Sequence, residues 1–71
     1  MRDLNQNERD TIEALIDRCG LSSVLMALSE ICGDKAEHIR SNWQDETLAR
    51  DWATAEGRLG VIVPSVVARG L

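Results

Sequence analysis

Between Ser22 and Trp43 the apolar residues fall at Leu25, Leu28, Cys32, Ala36, Ile39 and Trp43, in steps of three and four. That spacing traces one face of an α-helix. A true break usually shifts the phase, and here the phase holds across Gly33. One helix over 22–42 is therefore predicted to run through a weak glycine. It is the longest amphipathic stretch in the chain and can serve as the strut on which the other segments pack.

Upstream, Ile12, Leu15, Ile16 and Cys19 form a second stripe, backed by Glu8, Arg9, Asp10, Glu13 and Asp17. A helix over about 6–19 follows. Asn5 with Glu8 three residues on has the form of a capping box, and Asn7 is an equally good cap. Gly20 supplies the backbone freedom of a helix stop, and Leu21 just beyond it can touch Ile16. Ser22 is then the expected cap of the central helix, with Leu21 stapled onto Met26. A link this short makes the two helices neighbours.

Downstream, Asp45 is the expected cap of a third helix, and Glu46 in its first turn suits the helix dipole. Leu48, Trp52, Ala55, Leu59 and Ile62 recur in steps of four and three, placing this helix at about 46–60. Pro64 is expected to end it, because the ring disfavours a helical residue before it. Residues 61–71 form an apolar, β-branched tail open to three readings: a helical turn, a short strand or an extended segment. The resulting expectation is one all-α domain over 1–71. Helices one and three pack on a long central helix, and an apolar C-terminal tail follows.

Composition sharpens this picture. A chain of 71 residues is marginal as a lone monomer, since it buries only about 60% of its unfolded surface. With no Phe or Tyr, an aliphatic helical core is implied, and Trp43 and Trp52 are its largest apolar side chains. Trp52 lies on the third stripe and is expected to be the more buried. The net charge is −4, and all the acidic excess sits in residues 1–34, with three basic and seven acidic side chains. Such a balance suits neither phosphate backbones nor anionic membranes. No apolar run reaches the length of a membrane span. Two cysteines and no secretory leader point to a reducing cytoplasm and free thiols.

Candidate chemistry is sparse. Cys19, Cys32 and His38 are the only soft metal ligands, and their spacing lacks the close cysteine pairs of zinc sites. Both cysteines lie on apolar stripes and read as core residues. His38 reads as a surface or rim histidine, with Asp34 four residues before it. No nucleophile–base pair or glycine-rich phosphate loop is present. Catalytic, cofactor and metal residues are therefore assigned as none, and the chain is not expected to be an enzyme.

Leu15–Leu25 resembles the turn of a helix-turn-helix through Gly20, Leu21, Ser22 and their apolar flanks. Two features depart from that pattern. Ile16 stands where a small alanine is usual, and no Arg or Lys precedes Lys35 on the second helix, although base and phosphate contacts depend on such groups.

The leading expectation is a small acidic protein–protein interaction module, regulatory or inhibitory, with a homodimer as one form of it. Its partner would be another protein or a second copy. A helix-turn-helix DNA-binding regulator is one alternative, and an accessory or cofactor-binding subunit of an enzyme is another. The candidate partner-binding residues are Glu8, Asp10, Glu13, Asp17, Trp43, Val63, Val66 and Val67.

Overall fold

The computed structural model describes residues 1–71. The chain forms three helices: α1 (Gln6–Cys19), α2 (Leu21–Asn42) and α3 (Glu46–Ala68). α2 is continuous through Gly33.

The start of α1 is a complete capping box. Asn5 Oδ1 accepts from the Glu8 N–H at 2.8 Å, and Glu8 Oε1 accepts from the Asn5 N–H at 3.0 Å. At the other end, the Gly20 N–H donates to Ile16 O at 2.8 Å. Gly20 has φ 89° and ψ 154°, a region essentially reserved for glycine, and it is the whole link between α1 and α2.

Because α2 begins at Leu21, Ser22 lies inside its first turn and the helix has no side-chain cap, contrary to the sequence expectation. The far end of the chain takes over that role. Leu71 O accepts from the N–H groups of Leu21 (2.5 Å) and Ser22 (3.3 Å). Two donors that every helix start leaves open are satisfied by a residue fifty positions away.

Leu71 reaches that position because the tail is not a separate segment. α3 continues eight residues past Gly60, straight through Pro64. A mid-helix proline removes one hydrogen bond and crowds the carbonyl four residues back. Here that carbonyl belongs to Gly60, which has no side chain of its own to displace. What offsets the cost is tertiary. Val63, the residue before the proline, is buried, and α3 packs against α2 alone. After Arg69, Gly70 adopts φ 74° and donates to Val67 O, while the Leu71 N–H donates to Val66 O at 3.1 Å. Those two bonds are a Schellman turn, and they steer Leu71 back onto the start of α2.

α2 and α3 form an antiparallel hairpin. Its turn is closed by the Trp43 and Gln44 N–H groups, both on Ile39 O at 2.9 Å, with Gln44 at φ 53°. Asp45 caps α3 through Leu48 N–H at 3.0 Å, as its position suggested. Arg40 and Glu46 pair across the turn at 3.1 Å. The hairpin seam is built from small residues. Ala36 and Ala49 are buried, and Ser29 Oγ donates to Glu56 O at 3.0 Å between the helices. Gly33 lies directly beneath the Glu56 carboxylate. Small side chains allow the two backbones to approach closely.

α1 touches α2 but not α3. The molecule is consequently a layer, 38 × 29 × 15 Å, whose thin dimension is little more than one helix with its side chains. Its radius of gyration is 13.9 Å, against about 11 Å for a compact chain of this length. Only Ala36, Ala49 and Val63 are buried, so the three helices do not close around a core. No helix is long and apolar enough to cross a membrane.

A candidate interaction surface on the open side of the layer

The angle between α1 and α2 leaves a hollow of about 300 Å³. Ile12, Leu15 and Cys19 of α1 and Val24, Leu28 and Ile31 of α2 line it, with Ser23 as the one polar side chain. No charged residue borders it. On α1 these positions belong to the apolar stripe predicted from the sequence; on α2 only Leu28 does, since Val24 and Ile31 lie beside the predicted stripe, whose Leu25, Cys32, Ala36 and Ile39 are half-buried or buried. Leu15, Leu28 and Ile31 keep 40%, 43% and 48% of their surface exposed, far more than core leucine or isoleucine retains.

Cys19 was expected in the core and is exposed, at the edge of this hollow; Cys32 is half-buried. The stripe that carries Cys19 is apolar because it faces the hollow, and nothing in the chain fills that hollow. No three His, Cys, Asp or Glu side chains come together as metal ligands.

The hollow continues along α2. Ile31 also borders a second depression, of about 460 Å³, with Asp34, Lys35, His38, Ile39 and Trp52. There Lys35 Nζ stands 5.6 Å above the Trp52 ring, within cation–π range. His38 is exposed, and its Nδ1 lies 3.1 Å from Asn42 Nδ2, which also donates to His38 O. Its polar neighbour is thus Asn42, one turn on, rather than Asp34.

The partner-binding residues chosen from the sequence do not gather into one surface. Glu8 belongs to the α1 cap. Its carboxylate is held at 2.6 Å by the Arg2 guanidinium, which, with the Asn5 N–H, lowers its pKa to about 2; the same pair raises that of Arg2. Asp10 accepts from Gln6 Nε2 at 2.7 Å. Glu13 and Asp17 make no ion pair, and helical spacing puts them, with Asp10, on the side of α1 away from the hollow. Trp43 is 73% exposed at the α2–α3 turn, whereas Trp52 is half-buried. Val63 is buried against α2 and serves the fold; Val66 is half-buried and Val67 exposed, at the opposite end of the hairpin from Trp43.

The sequence pattern hides the α1–α2 hollow as a site because Ile12, Leu15, Cys19 and Leu28 read as core stripe while Val24 and Ile31 fall off the α2 stripe. The available signal was the absence of any further apolar element to cover α1. No family model, curated protein or solved structure matches this chain. The fold and surface define an open three-helix layer with one uncovered apolar side.

Proposed function

We propose that this chain is a protein–protein interaction module, regulatory in role and with no chemistry of its own. The observation that carries the reading is the uncovered α1–α2 hollow, lined by large aliphatic side chains without a single charge. Apolar surface of this kind gains roughly 25 cal/mol for each Å² removed from water, and only association can remove it here.

Two observations favour protein over DNA as the partner. The first turns of α2 offer Ser22, Ser23, Met26 and Glu30 and no basic group. The N-terminal end of α2, which a recognition helix presents to bases, is covered by Leu71. The test compares the wild-type chain with Ile31→Lys in affinity capture from source cells, beside a DNA-binding titration across salt concentrations. A protein, including the chain itself, held by wild type and lost from the variant is the expected result. DNA affinity that falls steeply with salt, with no protein captured, overturns the reading.

A further inference from the structure

We infer that the apolar hollow between α1 and α2 is the interface of a homodimer, in which a second copy lays the same face against the first. This rests on the interaction reading above and names its occupant.

The argument begins with area. A folded monomer of 7.9 kDa is expected to expose about 4,400 Å². This chain exposes 5679 Å², an excess of about 1,300 Å² over that expectation. The extended segment 1–5 holds part of it. The remainder is of the order of the ~800 Å² that each partner contributes to a standard interface. Two copies meeting on this side would recover the surface-to-mass ratio of an ordinary small protein.

The chemistry of the hollow selects the same occupant. A charged peptide would find no counter-charge there, since seven of its eight lining residues are hydrophobic and the eighth is Ser23. The partner must present an uncharged aliphatic face of matching size. The α1–α2 face is itself such a surface, and an isologous interface requires just that self-complementarity. The acidic residues Asp10, Glu13 and Asp17 lie on the far side of α1, and the two charged residues that border Ile31 on α2, Asp34 and Lys35, are of opposite sign. Ile12, Leu15, Leu28 and Ile31 would pass from half-exposed to buried, and Cys19 would be enclosed at the edge of the contact.

Sedimentation of the full chain, with far-ultraviolet circular dichroism, tests the inference. Wild type is expected at twice 7.9 kDa, with a melting temperature that rises with concentration. Leu28→Lys is expected at the single-chain mass with its helicity retained, while Arg58→Ser, on the outer side of α3, stays dimeric. Labelling of Cys19 in a Cys32→Ala chain supplies a second readout. Its rate should drop tenfold or more between dilute and concentrated solution. A wild-type chain of single mass at millimolar concentration overturns the inference, as does a dimer that survives Leu28→Lys. Should Leu28→Lys fail to fold, labelling decides: a dimer whose Cys19 reacts as fast as in the dilute chain overturns the assignment. A monomeric wild type that still loses a captured protein on Ile31→Lys removes the second copy but keeps the interaction reading. A monomer whose capture is unchanged removes both.

Discussion

The two helix–helix contacts of this chain are made in opposite ways. α2 and α3 meet through Ala36, Ala49, Ser29 and Gly33, close enough for a hydroxyl on one helix to bond a carbonyl on the other. α1 and α2 carry the larger aliphatic side chains, yet these remain half in water around an open hollow. Small residues thus let the seam close, with Val63 buried beside them, whereas only large aliphatic side chains flank the open face. A seam of small side chains gains dispersion and backbone proximity but buries little apolar area per residue. Large side chains at a contact two helices cannot close are surface held for something else. The comparison teaches that apolar size along a helix does not rank its positions by burial.

The sharpest break in that comparison is removal of the end of α3. Truncation after Gly60 deletes buried Val63 and the Leu71 oxygen that caps α2. The expected outcome is loss of cooperative unfolding in a thermal melt. A truncated chain that melts as the full one does would show that the hairpin needs neither.

Next is the seam itself. Ala49 has no exposed surface, so Ala49→Leu must force α2 and α3 apart. A loss of about 1–3 kcal/mol in urea denaturation is expected from overpacking. A neutral result would mean that the seam is as loose as the α1–α2 contact.

Gly33→Ala probes the same seam more gently. The new methyl would meet the Glu56 carboxylate, the far end of a flexible and exposed side chain that can swing into solvent. Helix propensity should then dominate, raising stability by up to about 1 kcal/mol. A fall in melting temperature would place Glu56 as a fixed part of the seam.

The smallest effect is expected at the start of α1. Glu8 has a folded pKa of about 2, below the ~4.3 of a free glutamate. The unfolded chain therefore binds the proton first as pH falls. The contribution of Glu8 is complete above the unfolded value and is lost as pH drops from about 4 towards 2. Amide exchange at residues 6–9 should accelerate over that window, and Glu8→Gln should remove the pH dependence. Unchanged exchange in the hairpin would confirm that α1 frays independently of it.

The boundaries that depend on near neighbours were readable without a structure. Asn5 with Glu8, Gly20 after Cys19, and Asp45 before Leu48 are local hydrogen-bonding chemistry, and each acts where its position suggests. The Schellman turn at Arg69-Gly70-Leu71 is equally local, but Pro64 masks it, because the ring signals a helix end before the turn is reached. The candidate surface was harder to see. A periodic apolar stripe reports that a face leaves water but not what it meets.

By itself, then, the sequence determined three amphipathic helices, their order, the continuity of α2 across Gly33 and the short links between them. These follow from spacing and from backbone preferences within a few residues. The tertiary structure alone decided that α3 runs through Pro64, that Leu71 rather than Ser22 caps α2, and that Val63 is buried while Leu15, Cys19 and Leu28 are not. Each of those outcomes sets a local preference against contacts with residues far away in the chain. A helix-breaking proline yields to packing on α2, and a good capping serine is bypassed when Leu71 occupies the helix start. The α1 stripe stays open because α3 packs on another side of α2 and does not reach α1.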